Sequence, residues 1–209
     1  MNMSIRPTFK VGIIIGSQRV VRAGPQITDF VLDTIKTHHA TADGPDIAFD
    51  VIDIAALNLP LFDEPGVPQK ITSPEGYAHE HTRQWSRRVA ALDAFVFVSP
   101  QYNWGIPAGL KNAIDYLFNE WKGKPAMVVT YGGHGGDKCA AQLKTVLGGG
   151  IDMRVAETAV NLSFPGREFL VKAATGKPLG LSASDDASPW ADQRGKIVGV
   201  WEDMVKMLA

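Results

Sequence analysis

Three short loops hold most of the residues able to do chemistry. The first, GSQRVVRAG (Gly16–Gly24), offers a glycine, the Ser17 hydroxyl and the guanidinium groups of Arg19 and Arg22, and it leads into a helix. Close backbone approach, a hydroxyl, a cation and the free N–H groups of a helix start together suit a phosphate monoester. Ser17 and Arg19 are the prime candidates, with Arg22 as a second cation; a polar turn with solvated arginines is the competing reading. Neither GK[ST] nor G-x-G-x-x-G occurs, so both common nucleotide fingerprints are missing. The second loop, SPQYNWGIP (Ser99–Pro107), sets Gln101, Tyr102, Asn103 and Trp104 between two prolines. Such a stiff ribbon presents N–H groups beside flat apolar surface and suits a planar heteroaromatic ring; the alternative buries Tyr102 and Trp104 in the core. The third, YGGHGGD (Tyr131–Asp137), has four glycines, which let backbone lie against a ring, unless it is only a flexible linker. His134 in this loop is a candidate hydrogen-bond donor or a side chain without a chemical part.

The elements that must carry these loops follow from periodicity. Lys10–Ile15 (KVGIII), Ile47–Ile54, Ala94–Val98 and Ala126–Thr130 are short β-branched or apolar runs that read as buried strands, and Met153–Val160 is a weaker fifth. Between them, helical spacing links Ile27, Phe30, Val31 and Ile35 behind Pro25, and then Tyr77, His81, Trp85 and Val89. It recurs in Leu110, Ile114, Leu117 and Phe118 after Pro107, and a further helix is expected over Cys139–Leu147. Ile197, Val200, Trp201, Met204, Val205 and Leu208 make a last apolar stripe. Pro60, Pro65 and Pro68 exclude regular structure from LNLPLFDEPGVP. Ser163–Pro189, rich in Gly, Pro, Ser and Asp, reads as a lid, a subunit-contact loop or partial disorder; residues 1–8 and part of 163–189 are the candidates for flexibility.

Strand–helix alternation at this spacing implies right-handed βαβ units and an α/β three-layer sandwich, a five-stranded parallel sheet with helices on both faces. One domain over residues 1–209 is expected, and five strands fit the flavodoxin-like order 2-1-3-4-5. In that order ligands bind beyond the C-terminal ends of strands 1 and 3. All three unusual loops fall on that edge.

Composition narrows the classes. Of 209 residues, 45% are hydrophobic and 21% charged, and Lys+Arg 21 against Asp+Glu 22 leaves a net charge of −1. No basic excess points to nucleic acid, and no apolar stretch has the length of a membrane span. One cysteine, Cys139, permits no intramolecular disulfide, and MNMSIRPTFK has no apolar signal core, so a cytoplasmic protein is the simplest expectation. Cys139 reads as a buried structural thiol before a redox one. The five histidines are scattered, with His79 and His81 two apart on an expected helix and so on different faces, and no metal site is expected. Lys111 and Asp115 form an i,i+4 pair that serves as helix support or as a subunit contact.

GSQR, SPQYNWGIPAGLKNAIDYL and TYGGHGG, with LPLFDEP and WKGKP, resemble the NADPH-dependent FMN reductase family over roughly residues 10–160. The resemblance implies a bound FMN, NADPH or NADH as hydride donor, and ping-pong transfer to a quinone, free flavin, azo compound or metal oxyanion. It implies that Ser17 and Arg19 hold the FMN phosphate and that Pro100, Gln101, Tyr102, Asn103 and Trp104 line the ribityl and ring site. Tyr131, Gly132 and Gly133 would then contact the isoalloxazine, beside His134. No side chain is expected to act as a catalytic acid or base, since the chemistry lies on the flavin. A homodimer or a dimer of dimers acting on small molecules is expected. A flavodoxin-type electron carrier is the alternative, although the near-neutral charge offers it no acidic docking face. A signalling receiver would need an acidic cluster after strand 1, where Gly16 and Ser17 stand instead.

Overall fold

The computed structural model describes residues 8–42 and 44–208; apart from Thr8, the N-terminal stretch expected to be flexible lies outside them. The β-branched runs form the centre of a parallel sheet. Strand β1 (Thr8–Ile15) pairs with β2 (Asp46–Asp53) on one side and β3 (Ala94–Pro100) on the other, and β3 pairs with β4 (Pro125–Gly132). The order is 2-1-3-4-5, the flavodoxin-like order. Every residue of β3 is buried, as a strand covered on both faces requires.

The fifth position departs from expectation. It is shared by two short strands, β5 (Arg154–Val155) and β6 (Val160–Ser163), which both pair with β4, so among the described residues the sheet has six strands. The exposed Glu157 and Thr158 fall in the gap between them.

Helices cover both faces. Helix α1 (Gly24–His39) and α7 (Arg194–Lys206) bury Ile27, Val31, Ile35, Ile197, Val200 and Trp201 against one face of the sheet. On the other face lie the one-turn helix α2 (Ile54–Leu57), α3 (Glu80–Ala90), α4 (Ala108–Asp115) and α5 (Asp137–Lys144), with Trp85, Leu110, Ile114 and Leu143 turned inward. Tyr77 precedes α3, while Leu117 and Phe118 follow α4. Helix α5 runs on as a π-helical turn over Thr145–Gly150, where an α-helix was expected to continue.

The segment 163–189 is not structureless. It contains α6 (Arg167–Thr175), which ends at Gly176 in the left-handed conformation and buries Phe169 and Ala173 on the α1 side of the sheet. Trp190 ties the end of this segment to the sheet by donating from Nε1 to the Ser163 carbonyl, 2.7 Å.

Candidate functional site

The loops after β1, β3 and β4 emerge from one edge of the parallel sheet, beside the point where strand order reverses. The first loop is pressed hard against its surroundings. A Cβ on Gly16 would lie 2.8 Å from Leu110 Cδ2 and 3.1 Å from Ser99 Oγ, so only glycine lets the backbone pass. Gly24, the first residue of α1, is equally crowded: its Cβ would sit 2.1 Å from Ser17 Oγ and 2.9 Å from the Tyr131 hydroxyl. Both hydroxyls are buried, at 1% exposure for Ser17 and 3% for Tyr131, and among the described residues neither has a hydrogen-bond partner. Ala23 caps α1 with no side-chain acceptor, so the helix start is open to an anion.

The two arginines separate. Arg22 donates to Asp53 at the end of β2 through both terminal nitrogens, 2.8 and 2.5 Å, and to the Ser17 carbonyl at 2.6 Å. These bonds raise the Arg22 pKa and hold the Asp53 carboxyl below the ordinary carboxylate range, with burial opposing in both cases. The expected second phosphate cation is thus committed to a clamp that fixes the loop carbonyl. Arg19 is exposed and lays its guanidinium over the Tyr102 ring, 4.0 Å from the centroid.

The second loop is a miniature hairpin. Tyr102 and Gly105 exchange both backbone hydrogen bonds, 3.1 and 2.9 Å, around Asn103 and Trp104, whose φ angles are +47° and +67°. Two central residues at positive φ make a type I′ turn, an uncommon setting for tryptophan. Trp104 is 59% exposed and stacks on His134 of the third loop, centroids 6.2 Å apart. Gln142 of α5 accepts from the Ile106 N–H at 3.2 Å and so supports the turn. Gln101 accepts from the Cys139 N–H at 3.1 Å, tying the loop to the start of α5.

Between these loops lies a cavity of about 520 Å³. Arg19, Val21 and Arg22 form one side; Pro100, Gln101, Tyr102 and Asn103, with Tyr131, Gly132 and Gly133, line it further. Phe164 and the Leu170, Ala173 and Ala174 face of α6 complete the wall. A Cβ on Gly132 or Gly133 would meet nothing within 4 Å, so both glycines open onto space. Ser17, Trp104 and His134 do not line the cavity. Sequence reasoning missed the apolar wall from Phe164 and α6; the signal was Phe169 and Ala173 at i,i+4 with Gly176 beyond.

The histidine pair and Cys139 are placed as follows by the structure. His79 precedes α3 in extended conformation, so its ring stacks on that of His81 at 5.2 Å and 6°, contrary to the helical expectation. Both rings approach Asp63, His81 Nε2 at 3.1 Å, yet among the described residues no group of three or more His, Cys, Asp or Glu is arranged to hold a metal ion. Cys139 is fully buried and burial pushes its thiol up to about 11, which makes it inert as a nucleophile. The arrangement therefore suits a ligand with an anionic end, a polar middle and a flat ring. No helix among the described residues is long and apolar enough to cross a membrane.

Comparison with known proteins agrees with this geometry. The family model described as NADPH-dependent FMN reductase matches residues 9–165. An NAD(P)H-dependent FMN reductase of Saccharomyces cerevisiae is 52% identical over 143 residues, 68% of this chain and 74% of that protein. One from a Nectria species is 36% identical over 199 residues, 95% of this chain and 93% of its own length. Among solved structures, the NAD(P)H:(acceptor) oxidoreductase FerB of Paracoccus denitrificans superposes with a TM-score of 0.64 at 21% identity, covering 96% of this chain and 97% of that one, a likeness of fold.

Proposed function

The chain belongs to the NADPH-dependent FMN reductase family, and we propose that it carries hydride from NAD(P)H to a small acceptor through an FMN held at the C-terminal edge of its sheet. The observation that carries this reading is the pairing of two buried, unpartnered hydroxyls at the start of α1 with a cavity floored by side-chain-free Gly132 and Gly133. These features fit FMN, which has a phosphate at one end and a flat ring at the other. When bound, FMN would supply the redox chemistry by which hydride from NAD(P)H reaches a quinone, free flavin, azo compound or metal oxyanion in a ping-pong cycle.

The chain's own residues bind and orient. Ser17, the α1 N-terminus and Arg19 would meet the phosphate, while Arg22, anchored by Asp53, holds the Ser17 carbonyl in place directly. Pro100 to Asn103 would line the ribityl and ring site, with Gly132 and Gly133 facing the ring. Trp104 and His134 stack at the rim, where an incoming nicotinamide or acceptor ring would pass. No side chain is assigned as an essential acid or base. The reading extends to a homodimer or dimer of dimers, since Leu61 stands 85% exposed on a loop that Asn112 and Tyr116 hold at the Pro60 carbonyl. Light scattering tests that part: a fully active monomer at nanomolar concentration contradicts it.

The central experiment is the absorption spectrum of the purified protein, with chromatography of the released cofactor and anaerobic reduction by NADPH. A yellow protein releasing FMN and bleached by NADPH is expected. A colourless protein that takes up no added FMN refutes the proposal.

A further inference from the structure

We propose that the Tyr131 hydroxyl is a ligand of the cofactor phosphate, so that this tyrosine selects FMN over unphosphorylated flavin instead of serving only as a ring contact. The inference rests on the FMN reading above and adds a role for one side chain.

Tyr131 stands one residue before the end of β4, paired in register with Pro100 on β3 and Leu162 on β6. Its ring packs beside Phe164, centroids 6.4 Å apart and 24° from parallel. These neighbours fix the direction of the phenol, and its hydroxyl ends within 3 Å of the point where a Cβ on Gly24 would stand. That point is the first turn of α1, next to Ser17 Oγ and beside the loop proposed to hold the phosphate. The hydroxyl therefore reaches the phosphate end of the cavity, while Gly132 and Gly133 are left to face the ring.

Buried polar atoms without partners are rare in folded proteins and need a reason. Here two occur together, Ser17 Oγ and the Tyr131 hydroxyl. Ser17 favours ionisation of the phenol, yet among the described residues neither hydroxyl has a hydrogen-bond partner. Burial is the larger influence and drives the phenol pKa upward, so the group remains a protonated donor at any ordinary pH. A donor is what a phosphate dianion requires. The need for neutral donors is heightened because Arg22 is taken up by Asp53, which leaves Arg19 as the guanidinium of this loop without an acidic partner among the described residues.

The test compares wild-type, Tyr131→Phe and Ser17→Ala apoproteins, titrated with FMN and with riboflavin by flavin fluorescence. Tyr131→Phe keeps the ring and removes one oxygen. We expect it to weaken FMN by roughly ten- to a hundredfold, as for a lost bond to a charged group, and riboflavin by less than about threefold. Ser17→Ala should show the same selectivity. The flavin-free melting temperature of Tyr131→Phe should stay level or rise, because an unpaired buried hydroxyl is removed. Equal losses for both flavins, or FMN affinity within about threefold of wild type, overturn the assignment. So does a flavin-free melting temperature lowered by more than about 4 °C, since that reveals a partner for the hydroxyl inside the protein. Wild-type protein that binds neither flavin defeats the FMN reading itself, an outcome distinct from all of these.

Discussion

Replacing Asp53 with asparagine isolates the clamp that holds the first loop. Asp53 does two jobs: it caps α2 by accepting from the Ala55 N–H at 3.0 Å, and it receives both terminal nitrogens of Arg22. Asparagine is as good an N-cap as aspartate, so Asp53→Asn keeps the cap and the shape and removes the charge. The side chains are 16% and 28% exposed, between a surface pair and a buried one. Exposed pairs contribute about 0–1 kcal/mol, whereas breaking a buried pair costs about 3–5 kcal/mol. An intermediate loss of about 1–2 kcal/mol is expected, or roughly 2–8 °C in melting temperature for a chain of this length. The carboxyl is held low in the folded state, so its contribution is present above the ordinary carboxylate pKa and is lost as pH falls through the lowered folded value. Asp53→Asn should therefore lie below wild type at neutral pH, and the two should converge in acid. Thermal melts from pH 7 downward, with FMN titration at pH 7, make the assay. Because Arg22 then holds the Ser17 carbonyl less firmly, FMN should bind more weakly in the variant. A variant melting within 1 °C of wild type at neutral pH, or binding FMN more tightly because Arg22 is freed for the phosphate, refutes the clamp (differences scaled by about 2–4 °C per kcal/mol).

Three other perturbations probe the rest of the site. Arg19→Ala should weaken FMN by roughly one to two orders of magnitude and leave riboflavin nearly unchanged; equal losses would remove Arg19 from the phosphate. Gly133→Val places a branched side chain in the open space above that glycine and should abolish FMN uptake with the fold retained, so a yellow Gly133→Val protein contradicts the proposed ring position. His134→Gln should slow flavin reduction by NADPH less than about tenfold, below the 10²–10⁴ typical of a general acid or base; in stopped-flow, a hundredfold drop with FMN still bound would make His134 catalytic.

The sequence made some of this structure readable and hid the rest for physical reasons. Strands β3 and β4 and the Val11–Ile15 part of β1 are buried on both faces, and AFVFV, AMVVT and VGIII show it as continuous apolar runs. Their three loops stood out because glycines, prolines and amides follow such runs directly. The break between β5 and β6 was illegible: MRVAETAV alternates well enough to pass for one strand. Helix α6 was masked by the glycines, prolines and serines around it, although only Phe169 and Ala173 of its residues needed burying. The diversion of Arg22 depends on Asp53, 31 residues away at the end of β2, so no local pattern announces it. His79 and His81 stack because the helix begins at Glu80, three residues after the Tyr77 start that the spacing suggested, and leaves His79 extended.

The broken fifth position bears on aggregation. An open sheet exposes unpaired N–H and C=O groups along its outer strands, which invites another chain to add a strand. One border of this sheet is β2, DIAFDVID, where Asp46, Asp50 and Asp53 carry charge along the strand. The other border is β5 and β6, of two and four residues, with Glu157 exposed in the gap. Neither border offers a long, flat, uncharged template. Amyloid-like stacking and edge-to-edge oligomers are thereby disfavoured on both sides, and self-association is left to helix and loop surfaces.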